Sequence, residues 1–79
     1  MNITVEYFAQ FRDLANCAGE VRQTLAESVS DLYQEVAQSH QFNLPIDDLK
    51  VAVNEEFADW NYQLKDGDTV VFIPPVAGG

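Results

Sequence analysis

The sequence is poor in cations, cysteine and histidine. Its 79 residues hold four Lys+Arg against 13 Asp+Glu, a net charge of −9. Nucleic-acid binding needs clustered Lys and Arg to neutralise phosphates, so that class of partner is excluded. An anionic membrane surface would repel the chain for the same reason, and no apolar run approaches the ~18–20 residues of a spanning helix. The start, Met1-Asn2-Ile3-Thr4, has neither a basic region nor a following apolar core, and it reads as having no signal peptide. The single cysteine, Cys17, can form no intrachain disulfide, which fits a cytoplasmic protein. With one cysteine and one histidine, His40, no set of soft ligands sits at metal-binding spacing, and no metal site is expected.

What is present is enough for one small domain. Hydrophobic residues make up 47%, too many for a disordered tail. A chain of this length buries roughly 60% of the surface its unfolded form exposes, so its stability is modest. A net negative charge fits a protein that meets a larger partner with a positive docking surface, since complementary charge speeds such encounters.

The hydrophobic pattern divides the chain. Ile3, Val5 and Tyr7 alternate with Asn2, Thr4 and Glu6, the signature of a half-buried strand. Residues 8–15 place Phe11, Leu14 and Ala15 at i, i+3 and i+4, which predicts a short helix ended by Gly19. Residues 20–25 alternate weakly and suit a second strand paired with the first. Val29, Leu32, Tyr33, Val36, Ala37 and His40 form one stripe at the helical period. Ser28 is a natural cap for that helix, and Pro45 forbids its continuation. Residues 49–53 read as a third strand, Asn54-Glu55-Glu56 as a turn, and about 57–60 as a short strand. Asp66-Gly67 signals a tight turn, because Gly takes positive φ without steric cost. Thr69 to Ile73 is apolar on both faces and belongs inside a sheet, with one face met by helices and the other open to cover by a partner. These elements fit a few α+β arrangements, among them a β-grasp: a mixed sheet with one main helix on one face.

The chain ends Pro74-Pro75-Val76-Ala77-Gly78-Gly79. Two prolines stop the last strand and stiffen the exit into an extended conformation. Beyond Val76 the side chains shrink to a methyl and then to nothing, leaving a thread that can enter a narrow active site. A terminal carboxylate is inert until activated. As a mixed anhydride with AMP it becomes electrophilic, and the paired glycines leave its carbonyl open to a sulfur or nitrogen nucleophile. Two terminal glycines arise by chance in roughly 0.5% of chains at a Gly frequency of about 7%, so the pair gains its weight from the proline-led exit and the small acidic domain around it.

At these residues the sequence resembles the small-subunit family of molybdopterin synthase, ubiquitin-like β-grasp sulfur carriers. The resemblance runs through Tyr7-Phe8-Ala9-Gln10-Phe11-Arg12-Asp13, Val51-Ala52-Val53-Asn54, Leu64-Lys65-Asp66-Gly67-Asp68-Thr69-Val70 and, most specifically, Phe72-Ile73-Pro74-Pro75-Val76-Ala77-Gly78-Gly79. It implies an α+β fold with a mixed sheet of about five strands. Residues 1–73 would be the domain and 74–79 a flexible tail. It implies that an ATP-dependent adenylating and sulfurating enzyme converts the Gly79 carboxylate into a thiocarboxylate, with Gly78 giving the tail freedom. The loaded tail would enter the large synthase subunit and deliver sulfur to cyclic pyranopterin monophosphate, two deliveries making the dithiolene. The complex would be a heterotetramer, with most catalytic residues on the large subunit. No cofactor would be held permanently, ATP passing only through the acyl-adenylate at Gly79. The partner-binding residues are expected to be Phe8, Phe57 and Ile73 on the open face of the sheet, with Pro74, Pro75, Val76 and Ala77 in the tail.

Other features favour structural readings. Cys17 has no basic neighbour in sequence to lower its pKa and is expected to be a small apolar filler. His40 is expected to favour the negative end of the helix dipole. Trp60 and Tyr62 are expected to pack at the sheet rim. Arg12 either pairs with a carboxylate or orients the sheet end near the tail. Asp47-Asp48 and Glu55-Glu56 read as solvated loops. Three other functions share these features: the sulfur carrier of thiamine synthesis, a ubiquitin-like modifier that conjugates to lysines, and a plain β-grasp interaction module with idle terminal glycines.

Overall fold

Five strands form one sheet in the order β2-β1-β5-β3-β4, in a computed structural model that describes residues 1–75. In chain order the elements are β1 (Asn2–Tyr7), α1 (Gln10–Ala15), β2 (Gly19–Gln23), α2 (Val29–His40), β3 (Lys50–Val53), β4 (Glu56–Phe57) and β5 (Thr69–Ile73), with a 3-10 turn at Ile46–Asp48 before β3. β1 and β5 run parallel at the centre, and the other three pairings are antiparallel. This is the mixed sheet with one main helix that the β-grasp reading requires.

α2 forms where the stripe predicts it. The Ser28 hydroxyl accepts the Asp31 N–H at 3.1 Å, satisfying one of the unpaired donors of the first turn. At the other end Gln41 takes the left-handed conformation (φ 60°), and the Phe42 N–H reaches back to the Ala37 carbonyl at 2.9 Å. That turn drives Phe42 into the core, stacked on Phe11 at 4.4 Å between centroids and edge-on to Tyr7 at 5.7 Å. A second aromatic group joins it: Tyr33 meets Phe72 edge-on at 5.1 Å, and Trp60 lies parallel to Phe72 at 6.0 Å. Ile3, Val5, Val51 and Val70 complete the helix-covered face of the sheet. Each buried side chain of this size contributes about 1.5–3 kcal/mol through removal from water.

Several boundaries differ from the sequence pattern, β2 starting at Gly19 and β3 at Lys50, each one residue from expectation. The short helix begins at Gln10 rather than at residue 8, and Leu14 is half-exposed. Six residues supply less than two full turns, so Phe11 alone is fully buried and Ala15 only partly. β2 stops at Gln23 instead of 25, because the Thr24 hydroxyl accepts the Ala26 N–H and donates to Glu35, turning the chain away. The short strand expected at about 57–60 is Glu56–Phe57. Asn54 and Glu55 both take positive φ (51° and 72°), a two-residue hairpin of the twist that antiparallel strands favour, and Glu56 is already paired.

The end of the sheet that carries Asn2, Asn54 and Thr69 is stitched by the segment around Gly67. Asp68 is buried, and its carboxylate accepts the Lys65 N–H at 2.8 Å and the Asn54 side-chain amide at 2.9 Å. Asp66 accepts the Asn2 N–H at 2.7 Å, while Gly67, at φ 89°, donates its own N–H to the Asn2 carbonyl. The predicted tight turn is therefore also a clasp between the first and last strands.

Candidate functional site: the strand ends and the open face

The parallel pairing of β1 and β5 fixes the geometry of the opposite end. Tyr7 lies beside Phe72, so both strands finish together, and antiparallel β3 brings Lys50 opposite Ile73. The chain leaves for residues 76–79 from this corner. Pro74 is buried in the isolated chain and Pro75 is exposed. Val76, Ala77, Gly78 and Gly79, to which the tail chemistry is assigned, lie outside the described residues.

Phe8 owes its position to the turn after β1. Its carbonyl accepts the Phe11 N–H at 3.1 Å, and Ala9 takes a positive φ of 52°, so the chain bends sharply into α1. The Phe8 ring stays outside both elements and is 54% exposed. Ile73 stands half-buried on the face opposite Phe72. Phe57 pairs with Ala52 on that same uncovered face and is 76% exposed, with the Lys50 ammonium 5.8 Å from its ring centroid. The three apolar residues expected on the open face are thus all there. Phe8 also borders a shallow recess with Arg12, Val21, Gly19 and Val71.

Val21 was not among the expected residues, yet it is 67% exposed on this face. The parity of its strand gives it away: Glu20 and Arg22 turn toward α2, which sends Val21 outward. Those inward-facing charges form the second feature absent from the sequence reading. The Glu20 carboxylate accepts the Tyr7 hydroxyl and lies 2.6 Å from His40 Nε2, while Arg22 reaches Glu35 at 3.1 Å, Glu20 at 3.4 Å and the Ser39 hydroxyl at 2.9 Å. Burial alone would raise the Glu20 pKa. Hydrogen bonds from Tyr7 and His40, with the Arg22 charge, outweigh it and hold the carboxyl below its ordinary range. Burial and the neighbouring carboxylate push the Tyr7 phenol far up, so it stays a donor. Arg22 is held above its usual value: partial burial opposes its charge, and the Glu35 contact prevails.

This network ties the C-terminal end of α2 to β1 and β2 and accounts for His40 by a contact more specific than the helix dipole. Cys17 is half-buried and packs against the core, as a filler does. Trp60 and Tyr62 pack at the core's edge. Arg12 is exposed, and among the described residues no carboxylate lies within ion-pair distance of it. Asp47 and Asp48 complete the 3-10 turn and are solvated. The open face therefore offers apolar contact and charge but, among the described residues, no assembled catalytic group. Reactivity would have to come from the chain end that this face adjoins.

Comparison with known proteins places the chain in a family. The ThiS family model matches residues 5–79. The molybdopterin synthase sulfur carrier subunit of Escherichia coli (strain K12) is 38% identical, over 98% of this chain and 99% of its own. A structure assigned as molybdopterin converting factor, subunit 1, from Pyrococcus furiosus superposes with a TM-score of 0.78 at 34% identity, covering 96% of this chain and 99% of that one. A chain from the complex of subunits 1 and 2 of molybdopterin-converting factor of Helicobacter pylori 26695 superposes with a TM-score of 0.70 at 24% identity over the whole of both chains, which shows a shared fold.

Proposed function

The chain belongs to the ThiS family, and we propose that it is the sulfur carrier subunit of molybdopterin synthase. The observation that carries this reading is the end-to-end identity with the Escherichia coli subunit of that name, 38% over 98% of this chain. The open apolar face beside the departing tail supports it, because a carrier must present its terminus together with a surface that partners can grip.

The chemistry follows from the carboxylate. The terminal oxygen of Gly79 attacks the α-phosphorus of ATP on an activating enzyme, releasing pyrophosphate and forming the acyl-adenylate. Sulfide-level sulfur then attacks the carbonyl and displaces AMP, and the product is a thiocarboxylate. Gly78 and Gly79 leave the carbonyl unshielded. Docking on a large subunit brings the thread to cyclic pyranopterin monophosphate, where the sulfur attacks a side-chain carbon and the oxygen substituent of that carbon leaves. Water cleaves the acyl–sulfur bond and restores the carboxylate. Two cycles supply the two sulfurs of the dithiolene. The large-subunit partner is supported by the subunit 1 and 2 complex of the Helicobacter pylori relative. Phe8, Phe57 and Ile73 would form the grip, with Pro74 to Ala77 leading the thread into the partner. The setting would be the cytoplasm and the assembly a heterotetramer.

Intact mass after incubation with ATP, an activating enzyme and a sulfur donor tests the reading. A gain of about 16 Da, oxygen replaced by sulfur at an activated acyl centre, is expected. No gain under conditions that load a control carrier overturns it.

A further inference from the structure

The scarcity of cations makes their placement informative. Of the four, Arg22 is occupied by Glu20 and Glu35. Lys65 sits in the turn that precedes β5, at the end of the sheet away from the tail. Arg12 and Lys50 remain, and both stand where the tail departs. Arg12 borders the recess with Phe8. Lys50 is opposite Ile73 and overhangs Phe57. Between them, Ile73 ends β5 and Phe8 follows the end of β1, the two central strands. Two of the four cations of a chain of net −9 thus stand beside the exposed rings of Phe8 and Phe57.

We infer that Arg12 and Lys50 form a positive rim that receives carboxylates of the large subunit, flanking an apolar socket for Phe8 and Ile73. The inference rests on the carrier reading and adds what the net charge alone contradicts: at this corner the partner is acidic. The spacing favours two separate carboxylates over one small anion. Lys50 opens β3 and Arg12 lies on α1 just beyond the end of β1, and β1 and β3 are two strands apart, about 10 Å. A single phosphate needs convergent donors, whereas two carboxylates on a protein surface can meet each cation separately. Glu6 and Glu20 line the same recess, and among the described residues neither pairs with Arg12, whose guanidinium offers its donors to a partner.

Opposite signs of effect make the test decisive. Arg12→Glu and Lys65→Glu each add two negative charges to the chain. If overall charge governs docking on a basic partner, both variants associate equally fast or faster than the parent. If the rim governs it, Arg12→Glu and Lys50→Glu each slow association with the purified large subunit about threefold to tenfold at low salt, the double variant slows it further, and Lys65→Glu does not. The deficit shrinks in high salt. Arg12→Gln is expected to show a smaller loss of the same sign, and circular dichroism checks that every variant is folded. Equal rates for Arg12→Glu and Lys65→Glu overturn the inference, while the carrier reading stands if Phe8→Asp still abolishes the complex and the parent still gains about 16 Da on loading. A parent chain that neither loads nor binds overturns both.

Discussion

Phe72 and Ile73 are neighbours on β5, and their fates differ. Phe72 is sealed beneath α2 between Tyr33 and Trp60, while Ile73 stands on the side of the sheet that no helix covers. The same contrast separates Tyr7 from Phe8 and Val51 from Ala52. A small domain cannot afford large apolar side chains in water for stability's sake, since burial is what makes them stabilising. One face of this sheet is therefore explained by folding, and the other asks for a second protein. The two faces should respond to substitution in opposite ways, and that is how their difference can be broken or sharpened.

The largest expected effect lies beyond both faces. Deleting Gly79 should abolish sulfur loading, read as loss of the mass gain, and leave the melting temperature unchanged. Loading by the shortened chain, which ends in Gly78, would show that the reactive carbonyl need not be that of Gly79. Next, Phe8→Asp should weaken the complex with the large subunit by about a hundredfold or more, as loss of a central apolar anchor does. Its stability in urea should stay within about 0.5 kcal/mol of the parent. Phe72→Ala should do the reverse, costing about 3–5 kcal/mol of stability through the cavity it leaves. Loss of binding in that variant should scale with the fraction unfolded. Asp68→Ala, at the clasp distant from the tail, should cost about 1–3 kcal/mol by leaving the Lys65 N–H and the Asn54 amide unpaired. The smallest effect is on the acid limb. The folded-state pKa of Glu20 lies below its ordinary 4.5, so its contribution is complete above that value and is lost as pH falls through the folded-state value. Glu20→Gln should therefore flatten the decline of stability below pH 4.5. An unchanged slope in urea titrations would show that the Tyr7–Glu20–His40 cluster carries no coupling to folding.

Much of the covered face was legible because it obeys a single period. Alternation located Ile3, Val5 and Tyr7, and the 3.6-residue stripe located Val29 to Val36. The apolar run Val70-Val71-Phe72-Ile73 announced a strand at the sheet's centre, where β5 is found. The open-face residues Phe8, Phe57 and Ile73 came from the family resemblance, and the structure sets them along one uncovered face of the sheet. The charged cluster was illegible because it depends on contacts between residues 7, 20, 22, 35 and 40, which no local pattern links. Val21 was missed for the same reason: its outward direction follows from the inward turn of Glu20 and Arg22. The hairpin at Asn54-Glu55 was read as a looser turn because a glutamate at positive φ breaks the usual preference for Gly or Asn.

The pairing of β1 with β5 also has a consequence for biosynthesis. The first strand made needs the last strand made as its neighbour, and Val70 and Phe72 fill the middle of the core. A nascent chain that has not yet released residue 73 from the ribosome lacks both and has no closed interior. Folding is therefore postponed until translation has reached the threshold of the tail. An interrupted product stays open to proteases, so the native shape certifies that the last strand has been made.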